Sequence, residues 1–234
     1  MNDIFEGLTQ AARLVVTLDA DLAEITLRSL QVTVTATLIA SAIGLPLGAW
    51  IAVNRFRLRR IVIVVLNALM GLPPVVVGLV VYVILSRSGP LGVLGLLFTP
   101  TAMIIAQVII ITPIIASISH QAIRELWADY HDLLISLHAT RRQRIATLLW
   151  DGRRALMTAS LAGFGRAIGE VGAIMIVGGN IDHATRVLTT AIALETGKGD
   201  FGLALALGFV LIALAIAVNL ALHVLSGTER GSRW

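Results

Sequence analysis

Five apolar runs, each about as long as a membrane crossing, constrain this chain more than any motif in it. A bilayer core of about 30 Å takes about 20 mostly apolar residues as a helix. Runs of that length fall at Leu30–Val53, Ile61–Leu85, Gly92–Ile118, Ala155–Val177 and Phe201–Leu225. The third carries a break signal at Thr99-Pro100. Composition supports the same reading. Hydrophobic residues make up 57% of the 234 and charged residues 14%, and mean hydropathy is +0.89. Soluble domains are about 45–50% apolar and about 25% charged. The fold class expected is therefore all-α, a polytopic membrane protein with five core transmembrane helices.

Basic residues orient the spans. Cytoplasmic loops collect arginine and lysine, and five crossings place the termini on opposite sides. Arg55, Arg57, Arg59 and Arg60 separate the first two spans. Arg124, Arg141, Arg142, Arg144, Arg153 and Arg154 separate the third and fourth, and Arg230 and Arg233 follow the fifth. The opposite side holds only Arg13, Arg28, Arg87, Arg186 and Lys198. The N-terminus is expected outside and the C-terminus in the cytoplasm.

Three parts follow. Residues 1–29 form an N-terminal segment in which Ile4 to Val16 is too short and polar to span and reads as an interfacial amphipathic helix. Asp3 and Glu6 stand where a cleaved signal would be basic, so the first residue onward reads as mature protein. Asp21 with Glu24 resembles the cap of the helix entering span one. Residues 30–225 form the transmembrane domain, with a cytoplasmic loop at 119–154, and 226–234 form a short tail. Pro73 and Pro74 sit inside span two and are expected to kink it; Pro46 and Pro113 are milder cases. The kink is either a packing feature or a bend beside a permeation path.

Charge inside a span is costly, which makes GRAIGEVGA, Gly165 to Ala173, informative. In a continuous helix Arg166 and Glu170 share a face and pair. Gly165, Gly169 and Gly172, with Ala173, line a neighbouring small-residue strip that favours close helix approach. The pair is either a structural salt bridge or part of a gate or subunit interface.

Several chemistries have no support. There is no P-loop pattern, no histidine pair at ligand spacing and no nucleophile elbow. The absence of cysteine excludes thiol and cysteine–zinc chemistry. No metal or cofactor is expected on the chain, no nucleic-acid partner, and no enzymatic activity of its own. Apart from Arg166 and Glu170, no ionisable group lies deep in a span, so a proton- or sodium-coupled carrier is disfavoured. Energy is expected from a partner.

The loop at 119–154 suggests which partner. Tyr130, Leu133, Leu134 and Leu137 form an apolar stripe at helical spacing. His138-Ala139 interrupts it. Thr140 and Gln143 read as a capping box that opens a second helix ending at Asp151-Gly152. A helix, a turn and a second helix beside the membrane suit docking of a cytosolic protein.

With these features the chain resembles the membrane subunit of binding-protein-dependent, type I ABC importers, over about residues 25–225. In that family an E-A-A-x-x-x-G motif occupies the loop before the fourth core span. Asp132 to His138, DLLISLH, stands there, with Asp132 for the glutamate, Leu133 and Leu134 for the alanines and His138 for the glycine. The proline usual later in that loop is replaced by Asp151. The resemblance implies that Asp132, Leu133, Leu134, Ser136, Leu137, His138, Ala139 and Thr140 dock on the ATPase subunit as a coupling helix. LPPVVVGL (72–79) and GFGRAIGEVGA (163–173) are similar to the tungstate, molybdate and sulfate branch. Residues 174–200 are most similar to tungstate permeases. The family implies a homodimer of this chain, two cytoplasmic ATPase subunits that bind ATP and Mg, and an extracytoplasmic binding protein, in a bacterial or archaeal inner membrane. Asn180, Arg186, Thr189 and Thr190 are expected to line the outer mouth. Molybdate or sulfate transport by the same architecture, and a stand-alone channel or secondary carrier, are the competing readings.

Overall fold

The computed structural model describes Thr9 and residues 20–227, with side chains as far as Leu220. The expected amphipathic segment at 4–16, Arg13, Arg230 and Arg233 lie outside the described residues. The described secondary structure is helical: α1 (Ala20–Val53), α2 (Arg59–Leu69), α3 (Pro74–Leu85), a single 3-10 turn (Gly92–Leu94), α4 (Pro100–Ser136), α5 (Arg141–Asp151), α6 (Arg153–Ile168), α7 (Gly172–Gly178), α8 (Leu188–Lys198) and α9 (Phe201–Gly227). Helices α1, α4 and α9 are each long and apolar enough to cross a membrane. The pairs α2–α3 and α6–α7 raise the number to five if each is one broken span.

Four boundaries differ from the sequence expectation. Helix α1 begins at least ten residues before Leu30, with Asp21 in its first turn, where its carboxylate suits the positive end of the helix dipole. The second apolar run does not kink in the middle of a helix. It stops at Leu69, and Pro74 opens a new helix behind an extended Pro73 (ψ 118°). Proline lacks an N–H that the first turn of a helix does not need, so the pair is a start signal. Pro46 and Pro113, by contrast, lie inside continuous helices. The third run becomes helical only at Pro100 but then continues to Ser136. The expected first loop helix is thus the end of α4. The fourth run breaks between Ile168 and Gly172.

The chain divides into two compact units. One comprises Met1–Thr35, Pro73–Gln107 and Ile168–Trp234; the other comprises Ala36–Leu72 and Val108–Ala167. In the second unit α1 and α4 approach closely at glycine. A Cβ on Gly48 would lie 2.7 Å from both the His120 nitrogen and the Ser119 Cβ, and one on Gly44 would lie 3.1 Å from the Thr112 carbonyl oxygen. Ser119 Oγ donates to the Leu45 carbonyl (2.9 Å), and Ser117 Oγ to Asn67 Oδ1 (2.6 Å). Such small-residue contacts and interhelical hydroxyl bonds replace the hydrophobic drive that lipid does not supply. Gly163 meets Ile115 in the same way.

The first unit is held by related devices. Gly78 of α3 packs on Ala173 of α7, with only 2.7 Å between its added Cβ and the Ala173 Cα. The Phe98 N–H donates to the Val177 carbonyl (2.9 Å). Helix α9 packs along α8, burying Leu188, Ala191 and Leu207 together with Leu22 of α1.

Candidate functional site

Helix α4 ends in a specific turn. The Ala139 N–H donates to the Leu134 carbonyl (3.0 Å) and the His138 N–H to the Ile135 carbonyl (2.9 Å). This pair of bonds is the Schellman termination, which needs a left-handed residue between them. His138 supplies it at φ 50°. A non-glycine residue there costs about 1–2 kcal/mol, so the position expected to match a glycine is one where glycine is the unstrained residue. His138→Gly is expected to raise stability by about 1 kcal/mol, and His138→Val to lower it. Thermal unfolding of the two purified variants checks both.

Thr140 then caps α5. Its hydroxyl accepts from the Gln143 N–H (3.4 Å), and Gln143 Oε1 accepts from the Thr140 N–H (2.7 Å). The capping box read from T-x-x-Q is present. Arg144 fixes the second helix to the first. Its Nε donates to the Ala139 carbonyl (2.8 Å), and its guanidinium lies 5.9 Å from the Trp127 ring centre. Underneath, Leu134, Leu148, Ile123 and Leu156 form one buried cluster with Ala49, Ala52 and Val53. The expected docking residues therefore split. Leu134 is core and Ala139 half-buried, whereas Asp132, Leu133, Ser136, Leu137, His138 and Thr140 are exposed. Leu133 at 53% and Leu137 at 66% exposure are apolar side chains with no covering protein.

The GRAIGEVGA stretch is not the continuous helix face expected. Arg166 lies in the last turn of α6, half-buried. Glu170 follows the helix break and is 4% exposed. Its Oε1 accepts from the Ala173 N–H (3.2 Å), and its carbonyl accepts from Thr189 Oγ1 (3.0 Å). The carboxylate thus serves the first turn of α7, where free N–H groups and the dipole favour an anion. The helix that carries Arg166 ends at Ile168 and Gly169 is a turn, so Glu170 lies just beyond it. The small-residue strip also divides. Gly172 opens α7 and packs on Val75, whose Cγ2 is 2.7 Å from an added Cβ, while Gly165 has nothing within 4 Å and Gly169 is exposed.

Of the expected outer-mouth residues, Asn180 and Arg186 line one cavity with Lys198. Thr189 and Thr190 do not reach it. Both are buried in the first turn of α8. Thr189 bonds Glu170 and Thr190 Oγ1 donates to the Val187 carbonyl (3.0 Å). The loop before α8 is clamped to α1. Glu24 accepts from Arg28 (2.9 Å) with one oxygen and meets His183 Nδ1 (2.9 Å) with the other. Arg28 also donates to the carbonyls of His183 and Ala184. Ser29 Oγ accepts from the Leu188 N–H (2.8 Å). Glu24 is thus a clamp residue, with its carboxylate engaged by Arg28 and His183.

Residues 44–228 match the family described as binding-protein-dependent transport system inner membrane component. The chain belongs to that family. A tungstate uptake system permease protein of Peptoclostridium acidaminophilum is 41% identical over 225 residues, covering 96% of this chain and 99% of the relative. A probable anion ABC transporter permease of Haloferax volcanii is 42% identical over 203 residues, 85% and 88% of the two chains. A tungstate uptake permease of Campylobacter jejuni is 36% identical over 233 residues, 96% and 94% of the two. The chain is accordingly a multi-pass inner-membrane permease subunit and not an enzyme by itself. In general such a subunit works with an ATPase and a binding protein.

Two features of this permease escaped the sequence reading. Lys198 lies twelve residues beyond Arg186, and only α8 brings it to the same cavity. The Glu24–His183 contact joins residues 159 apart in sequence. The bond to Glu24, with the nearby charge of Asp182, raises the His183 imidazole above its ordinary value. Asp21, Arg28, Asp182 and Arg186 are the other charged groups around it. A raised value in the folded state means that the contact stabilises fully below pH about 6.5, the unfolded value. That contribution is lost as pH rises through the folded value. The expected result is a small loss of thermal stability from mildly acidic to mildly alkaline buffer. His183→Asn should flatten it. The effect is small because both groups face solvent.

Proposed function

We propose that this permease carries a tetrahedral oxyanion, tungstate in preference to molybdate or sulfate, into the cytoplasm of a bacterium or archaeon as part of an ATP-driven importer. The observation that carries the substrate is the near end-to-end likeness to a permease named for tungstate uptake. Two copies of the chain form the pathway, with two ATPase subunits beneath and a binding protein on the outer face. ATP and Mg reside on the ATPase, and this chain needs no cofactor. The N-terminus is outside and the C-terminus inside, as the arginine asymmetry favours.

The end of α4 and the start of α5 are the coupling element. The exposed Leu133 and Leu137 enter an apolar groove of the ATPase, while the buried Leu134 beside them anchors the same turn in the permease core. Closure of the ATPase pair on ATP then pulls the turn as one body, because the Schellman bonds, the capping box and the Arg144 contacts leave it no loose joint.

The test is ATP hydrolysis in proteoliposomes holding the permease and its ATPase, with binding protein loaded in turn with tungstate, molybdate or sulfate. Stimulation by the tungstate form above the other two is expected. Equal stimulation by all three would remove the preference. A permease that transports with no ATPase bound would return the channel or carrier reading.

A further inference from the structure

The cavity beside α7 and α8 has an inventory that fits an anion. Its volume is about 640 Å³, with Asn180, Arg186 and Lys198 as its polar lining and Met175, Ala193 and Leu194 among its apolar walls. Arg186 spends one nitrogen on Asp182, Nη1 to Oδ1 at 2.7 Å. Its Nε is enclosed and has no hydrogen-bond partner. An enclosed guanidinium N–H without an acceptor is unfavourable, unless a ligand provides the acceptor. The Asn180 side-chain oxygen is likewise enclosed and unpartnered. An amide presents a donor end and an acceptor end, and which end faces a ligand is set by that ligand. Asn180 is held in the wall by the left-handed backbone of Gly179 (φ 72°) and of its own residue (φ 49°), a conformation that asparagine tolerates. Lys198 stands at the other side, 56% exposed, with one donor on Glu195 Oε1 at 2.8 Å. An ammonium has three donors, so two remain.

We propose that this cavity is a transit site for the oxyanion, with Arg186 and Lys198 as its charge partners and Asn180 as its orienting amide. The proposal rests on the oxyanion-importer reading above. A tetrahedral dianion offers only acceptors, and the guanidinium fork matches an edge of such an anion. Asp182 and Glu195 hold the two cations in place and cancel much of their charge. The site therefore binds weakly. A pathway site must admit its ion and also let it leave, and a fully positive pocket would retain it.

Because the chain has no cysteine, a single reporter can be placed with no competing thiol on the permease, whose labelled band is read separately from those of its partners. Ala193→Cys puts a thiol in the cavity wall while leaving Arg186, Lys198 and Asn180 intact. The experiment uses the assembled complex of permease, ATPase and binding protein, and follows labelling by a small cationic thiol reagent. Millimolar tungstate should slow labelling at least about five-fold, chloride should not, and adding Arg186→Gln should abolish the protection. Equal labelling with and without tungstate, in a complex whose ATPase still responds to tungstate-loaded binding protein, would overturn the transit site and leave the function standing. Equal protection by chloride would also overturn it, since the fork would then not be reading an oxyanion. An unmodified complex whose ATPase ignores tungstate-loaded binding protein would defeat the functional reading, and the transit site with it.

Discussion

Gly48→Val is expected to prevent accumulation of folded permease. The reason is backbone on backbone. A Cβ at residue 48 would fall against the Ala116 carbonyl oxygen and within 2.7 Å of the His120 nitrogen. No rotamer change relieves a clash with main chain, so α1 and α4 must separate. Separation also strains the Ser119–Leu45 hydrogen bond next to it. Overpacking a tight core costs about 1–3 kcal/mol and occasionally more, and backbone contact puts this site at about 3 kcal/mol or above. Membrane yield and the melting temperature of any recovered protein are the measurements. Gly208→Ala is the control. It lies within α9 and has nothing within 4 Å, so it should be neutral or gain about 0.5–1 kcal/mol from the lower entropy of alanine.

Leu137→Asp is expected to uncouple the permease from its ATPase without unfolding it. The side chain is 66% exposed, so the charge meets solvent in the free subunit and costs little there. In the proposed complex it would be buried in an apolar groove. Losing such an anchor typically costs about 2 kcal/mol or more, roughly thirty-fold in affinity. Copurification with the ATPase and ATPase stimulation by loaded binding protein should both fall, while the melting temperature stays near that of the parent. Leu148→Ala reverses the pattern. Leu148 is 0% exposed and lies in the cluster beneath the turn. Its truncation should cost about 2–5 kcal/mol and lower folded yield before it touches coupling. If Leu137→Asp left copurification unchanged, the docking assignment would be wrong.

The membrane class and the capped turn at Thr140 were legible in the sequence because their signals are local. Apolar length reports burial in lipid whatever the neighbours do. The T-x-x-Q box at Thr140 works through residues three apart, and the structure contains it as read. His138 was legible only through the resemblance to a glycine-bearing motif, and the Schellman geometry supplies the reason for that glycine. Hydropathy misplaced the helix breaks. The run from Ala155 to Val177 resumes its apolar character beyond Glu170, so hydropathy alone does not mark the break after Ile168. Helix α4 outruns its apolar stretch because an α-helix is limited by its termination chemistry, which lies at His138, and not by polarity.

The candidate site divides in the same way. Asn180 and Arg186 were picked by position and hydrogen-bonding ability, and the structure places them in one cavity. Thr189 and Thr190 were picked on the same grounds, but their hydroxyls are taken by the carbonyls of Glu170 and Val187. Lys198 and the Glu24–His183 clamp carry no local signal. Composition and periodicity determined that this chain is a set of membrane helices with a polar helix–turn–helix between two of them, because bilayer thickness and helix geometry act on consecutive residues. Only the tertiary structure decided which glycines are contacts, which hydroxyls are consumed and which cations share a cavity, because those depend on residues that are distant in sequence and adjacent in space.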